Sequence, residues 1–328
     1  MITRRYLMVR SAYAVATTFV AIIINFLLPR IIPGNPAVTI LLTNFHYLPP
    51  GKVKLLEQEF GLTNSSMLYQ FERYIVELFH GNLGISYYYY PETVAQVIGT
   101  HLPWTLFLLG TSISLSSVLG VITGRMLGFR AGTKTESATS TIFIGLTSLP
   151  FFWFAIILIL LFAVEVPIFP VGGVFYILDT PGLNFKYISS IAYHAALPIL
   201  TIVATTFPAF ALTMRNTMAN QNKEDYILMA KAKGLPERII SKKYAGRNAV
   251  LPVATHIILA FGYIVAGAFF VEVVFSYKGI GYVLYEAVTT KDYPLIDGIF
   301  LMITITVIIA NFLADLLYAV LDPRVELR

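Results

Sequence analysis

The chain has 328 residues, of which 57% are apolar and 12% charged, and its 23 Lys and Arg exceed its 18 Asp and Glu to give a net charge of +5. Soluble domains average about 25% charged residues, so this balance, with a mean hydropathy of +0.73, excludes an ordinary water-soluble domain and points to a membrane body. Cysteine is absent, which excludes disulfides and thiolate metal sites, and the distribution of the basic residues decides against nucleic acid as a partner.

Six apolar runs reach the roughly 20 residues that a helix needs to cross a bilayer. They lie near 11–32, 103–128, 137–164, 190–214, 250–275 and 295–320, so the expectation is an all-α membrane protein with six transmembrane helices. The first run follows Arg4, Arg5 and Arg10 and ends FLLPRIIPGNP without a small-residue cleavage site, which reads as an anchor rather than a signal peptide.

Residues 34–100 form the sizeable segment between the first two runs. Pro50–Phe60 and Met67–Phe79 place apolar residues three and four apart, predicting two amphipathic helices in a small outer subdomain. Four consecutive tyrosines, Tyr87–Tyr90, suit either the membrane interface or stacking on a ligand. Asn64-Ser65-Ser66 fits a glycosylation acceptor. Further on, Pro150 predicts a kink inside the third span, either as structural bending or as part of a solute path.

Arg215–Asn248 is a polar island carrying eight of the 23 basic residues and eleven charges in all. Each charge at a helix centre in hydrocarbon costs roughly 2.5–3.5 kcal/mol, so the segment belongs in water or against another protein. A helix is expected over Lys223–Lys233, capped by Gly234, with Pro236 opening a second one.

With the amino terminus inside, six spans put 16 basic residues on the cytoplasmic side and seven outside. The retention of Lys and Arg in the cytoplasm then places both termini inside, in a multi-pass cell-membrane protein. Glu272, Asp297, Asn311 and Asp315 are the polar exceptions in the last two spans. Glu272 and Asn311 are candidates for a translocation path, with simple solvation as the competing reading; Gly262 and Gly267 leave room for a neighbouring helix.

The polar island resembles the cytoplasmic loop of ABC importer permeases, in the dipeptide, oligopeptide and nickel branch and its first-permease (B-type) group. Asp225, Tyr226, Ala230, Lys231, Ala232, Lys233 and Gly234 fall on the pattern D-Y-x-x-x-A-(R/K)-A-K-G, with Glu224 beside it. Leu228 and Met229 depart from the Glu and Ala of the general importer signature. Further strings are similar to those of the branch: Arg30 with Pro33-Gly34-Asn35-Pro36, Gly81 to Ser86, Ser148 to Phe152, Pro170 to Gly173, Glu272 to Phe275, Gly279 to Gly281, and Leu321 to Arg324.

The resemblance implies a permease subunit of an ATP-driven importer for peptides or oligosaccharides, and a division into 1–33, an outer segment 34–100, and a core 101–328 with an ATPase-coupling loop at 215–249. Implied partners are a second homologous permease, two ATPases on the cytoplasmic face, an extracellular substrate-binding protein and the lipid bilayer. No enzyme is expected: there is no phosphate-binding loop, and the five histidines lack metal-ligand spacing. No cofactor or metal is expected either. A stand-alone secondary transporter or channel is the competing reading, and it needs an inverted repeat that the sequence does not display.

Overall fold

The computed structural model of the chain describes residues 4–31, 66–176, 179, 181–262 and 269–321. All the named elements among them are helices: α1 (Arg4–Ile31), α2 (Met67–Phe79), α3 (Val94–Phe129), α4 (Lys134–Thr147), α5 (Phe151–Ile159), α6 (Phe185–Gln221), α7 (Asp225–Ala232), α8 (Gly246–Gly262), α9 (Phe269–Val274), α10 (Ile280–Thr290) and α11 (Tyr293–Leu321). The expected helix at Pro50–Phe60, Asn64, Pro33–Pro36, Gly267 and Asp322–Arg324 lie outside the described residues. The second amphipathic helix of the outer segment forms as α2, over the expected range.

The expected six spans are corrected. Among the described residues, α1, α3, α6 and α11 each contain a stretch long and apolar enough to cross a membrane, and a bent pair raises the number to at most five. The third expected span is that pair. Pro150 lacks an amide hydrogen, and α4 and the helix that begins at Phe151 meet at 93° around it. Of the fifth expected span, the described residues hold the 17-residue α8 and the six-residue α9, with 263–268 lying outside them.

The long helices have legible causes. Thr93 accepts from the Gln96 amide at 3.3 Å and Gln96 returns the contact to the Thr93 amide at 2.9 Å, so α3 starts in a capping box. Asn184 caps α6 in the same sense, at 2.8 Å from the Tyr187 amide. With 36 and 37 residues, α3 and α6 reach about 54 Å, well beyond the roughly 30 Å of hydrocarbon. Each is therefore longer than one crossing requires, and the end of α6 is the start of the polar island.

The two helices run parallel, and glycines set their separation. Ideal Cβ atoms at Gly120, Gly124 and Gly128 would lie 2.5 Å from Phe210 Cβ, 2.3 Å from the Ala211 oxygen and 2.5 Å from the Arg215 oxygen. Residues four apart share one helix face, so this stripe lets α3 lie directly on the α6 backbone. The bent pair returns antiparallel along α6. Glu136 meets Arg215, Phe143 stacks edge-on with Phe207 at 5.2 Å, and Ile168 receives the Tyr193 hydroxyl.

Candidate functional site: a seated short helix and the clasps at the opposite end

Helix α7 has two faces. Ile227 and Ala230 are buried against Met214 and Met218 of α6 and against Ile240, Ala245, Ala249 and Val253. Glu224, Asp225, Leu228, Met229, Lys231, Ala232 and Lys233 are exposed. Leu228 and Met229 are more than half exposed, an apolar pair that water does not favour. Tyr226 anchors the helix laterally: its hydroxyl donates to Gln221 at 2.5 Å and accepts from Asn248 at 3.2 Å.

The helix ends as its sequence predicts. Gly234 has φ +70°; its amide donates to the Lys231 oxygen at 2.9 Å and the Leu235 amide to the Ala230 oxygen at 3.3 Å. That pair of bonds is the Schellman ending, which favours Gly at the left-handed position. Leu235 then folds back onto the buried face. Pro236 precedes a single helical turn, Glu237–Ile239, which continues as a π-helical stretch Ile240–Ala245 into α8. The surroundings of Gly234 are open, so its requirement is conformational rather than steric.

Two contacts tie this end to the bundle. Asn222 donates to the Gly128 oxygen at 3.1 Å. Arg215 donates to Glu136 at 2.7 Å, and Glu136, almost fully buried, also accepts from the Gly132 amide at 3.1 Å and the Ser140 hydroxyl at 2.9 Å. A buried carboxylate is tolerable only with such partners.

At the opposite end lie the buried carboxylates Glu272, Asp292 and Asp297, besides Asp179 in the loop before α6. Glu272 is fully buried and accepts the Thr105 hydroxyl at 2.7 Å, the Gly281 amide at 2.6 Å and the Tyr282 amide at 3.2 Å. It therefore caps the amino terminus of α10 from another helix. Gly279 and Gly281 admit it, because a Cβ at either would lie 2.3 Å or 3.0 Å from its carboxylate oxygens. Asp292 accepts the Ser86 hydroxyl at 2.5 Å, the Tyr88 amide at 2.9 Å and the Leu295 amide at 3.1 Å. Asp297 pairs with Arg30 at 3.0 Å, whose guanidinium lies 3.7 Å over the Phe26 ring.

The strings that the sequence analysis treated separately thus converge. The Gly173 amide donates to the Phe275 oxygen at 3.0 Å, and Gly172 packs on that same carbonyl. Asn311 stands apart, exposed on α11, and is not brought to Glu272. Sequence reasoning missed Glu136, Asp292 and the Gly120/Gly124/Gly128 stripe. Only the stripe had a local signal, its four-residue spacing in an apolar run. Among the described residues no group of three or more His, Asp or Glu is placed to hold a metal ion.

Membrane-length helices, one of which leads into a short helix with one buried and one exposed face, define an integral membrane protein. Residues 116–327, more than half of the chain and including α7, match the family described as binding-protein-dependent transport system inner membrane component, and the chain belongs to that family. It is the permease component of such an ABC importer, not a catalytic subunit. It is 32% identical to a putative peptide permease protein of Brucella ovis over 98% of this chain and 99% of the relative. The di/tripeptide transport system permease protein DppB of Pseudomonas aeruginosa is 30% identical over 97% of both chains. For the oligopeptide transport system permease protein AppB of Bacillus subtilis the identity is 29%, over 96% and 99%.

Proposed function

We propose that this permease carries peptides, received from an outer binding protein, and is driven by two ATPases that dock on α7, with a second homologous permease completing the pore. The observation that carries the reading is the seating of α7: its inner face is locked to α6 and α8, while Leu228 and Met229 face outward beside Lys231 and Lys233. A rigidly seated helix passes a push from the motor to α6 and, through the glycine stripe, to α3. Closure of an ATPase dimer would then rock the bundle between inward and outward opening. The peptide assignment rests on relatives named for peptides.

In this reading the α7 end is cytoplasmic, as are both termini, and 34–100 is the outer subdomain. The basic residues of the polar island support that orientation. So does the antiparallel pairing of α1 and α11, in which Arg30 meets Asp297 and Asn25 meets Thr304 at the far end. Reconstitution tests the function. Peptide uptake is expected only when both permeases, both ATPases, the binding protein and ATP are present; uptake by this chain alone under a proton or sodium gradient would make it a secondary transporter.

A further inference from the structure

The tyrosine run at 87–90 and one face of α10 build a polar aromatic cluster that coupling to a motor does not use. Tyr89 donates its hydroxyl to Glu286, and Tyr282 stands one turn before Glu286 on the same face of α10. Tyr88 stacks edge-on against Tyr89, with ring centroids 5.0 Å apart, and the other side of Tyr89 meets His101 at 5.9 Å. Tyr88 and Tyr285 also lie within electrostatic reach of Tyr282. Burial first, and then the bond to Glu286, push the Tyr89 phenol pKa up, so it stays protonated and a donor.

Glu286 differs from the other sequestered carboxylates. Glu136, Asp179 and Asp297 each face a Lys or Arg. Glu272 and Asp292 are saturated by amide and hydroxyl donors. Glu286 is half-buried and, among the described residues, is paired with the Tyr89 phenol and no cation. A carboxylate with no cation of its own and tyrosines beside it suits an organic ammonium ion, through charge and, at an accessible ring face, cation–π attraction.

We propose that Glu286, with Tyr88, Tyr89, Tyr282 and Tyr285, forms an outer-face site for the ammonium group of an arriving peptide. This deepens the peptide reading and rests on it. The site lies at the Glu272 end of the bundle, because Glu272 caps the same helix that carries Tyr282 and Glu286. It would orient a peptide amino-terminus first as it leaves the binding protein.

The test uses the paired permeases with their ATPases in nanodiscs, before the binding protein is added, with methylammonium, trialanine and N-acetyltrialanine as probes followed by ligand-detected NMR. Methylammonium and trialanine are expected to bind, N-acetyltrialanine is not, and Glu286→Gln is expected to weaken both binders about tenfold. Tyr282→Phe, which keeps the ring, should change them less than threefold, and Tyr282→Leu should weaken them clearly, on the order of fivefold. Equal binding of the acetylated peptide, or of all probes by Glu286→Gln, overturns the site. Loss of binding-protein docking in Glu286→Gln without methylammonium binding also overturns it, in favour of a partner lysine. ATP-driven trialanine uptake, measured on the same preparation, separates failure of this site from failure of the importer reading.

Discussion

The Thr105 hydroxyl donates to Glu272 at 2.7 Å and, on its other side, accepts the Ile280 amide at the same distance. One hydroxyl thus joins α3, α9 and α10, and Glu272 completes the joint by capping α10. A fully buried carboxylate with three donors is a structural clasp, and its removal strands amides at a helix start. Glu272→Ala is expected to destabilise the detergent-solubilised protein by roughly 3 kcal/mol and Glu272→Gln by only about 1 kcal/mol, since its oxygen can still accept the Gly281 and Tyr282 amides while its NH2 donates to the Thr105 hydroxyl oxygen. Thermal unfolding reads both. An Ala variant with unchanged stability but impaired uptake would instead place Glu272 on the solute path.

Gly124 and Gly110 sit on the same helix with opposite surroundings. A Cβ at Gly124 meets the Ala211 oxygen at 2.3 Å, whereas one at Gly110 meets nothing within 4 Å. Gly124→Ala should cost roughly 1–3 kcal/mol by overpacking. Gly110→Ala should gain up to about 1 kcal/mol through helix propensity. Opposite shifts in melting temperature are the expected result, and parallel shifts would mean that the α3–α6 contact is looser than the glycines imply.

What the sequence disclosed follows the range of the interactions involved. The turn after α7 was readable because Gly234, Leu235 and Pro236 determine it within a few residues, and α2 was readable from its own periodicity. The Glu272 clasp was not. Its partner Thr105 is 167 residues away, and hydropathy registers Glu272 only as an exception in an apolar run. The span number failed for a related reason. Apolar length does not reveal that the chain turns by 93° at Pro150.

Asp179 carries the pH dependence of the loop before α6. The Lys186 ammonium 3.0 Å away, then the Ser190 hydroxyl, hold its carboxyl below the usual range. A depressed folded pKa gives stability that is complete above the unfolded value of about 3.9 and lost as pH falls through the lower folded value. Asp179→Asn should therefore melt below wild type at pH 7, with the gap closing in acid. High salt should shrink the gap as well, because Lys186 is largely exposed. A gap that persists below both pKa values would assign the effect to packing.

Orientation is directly testable because the chain has no cysteine. Glu237 lies in the turn after α7 and Thr289 near the end of α10, and both are exposed. In intact cells an impermeant maleimide is expected to label Thr289→Cys and to spare Glu237→Cys until the membrane is opened. The reverse pattern would invert the proposed topology and remove α7 from the cytoplasm.

Gly234 separates docking from folding. Its φ of +70° costs most residues about 1–2 kcal/mol, and a β-branched side chain more. Gly234→Ala should keep membrane insertion and most uptake. Gly234→Val should keep insertion yet abolish ATP-driven uptake, because the Schellman bonds that set Leu235 on the bundle are lost and α7 changes its angle to the motor. Co-purification of the ATPases with each variant reads the docking step apart from transport. Gly234→Asn is the discriminating control, since Asn tolerates the left-handed region: it should restore both assembly and uptake. A Val variant that binds its ATPases and transports at the wild-type rate would show that the turn merely ends a solvated helix.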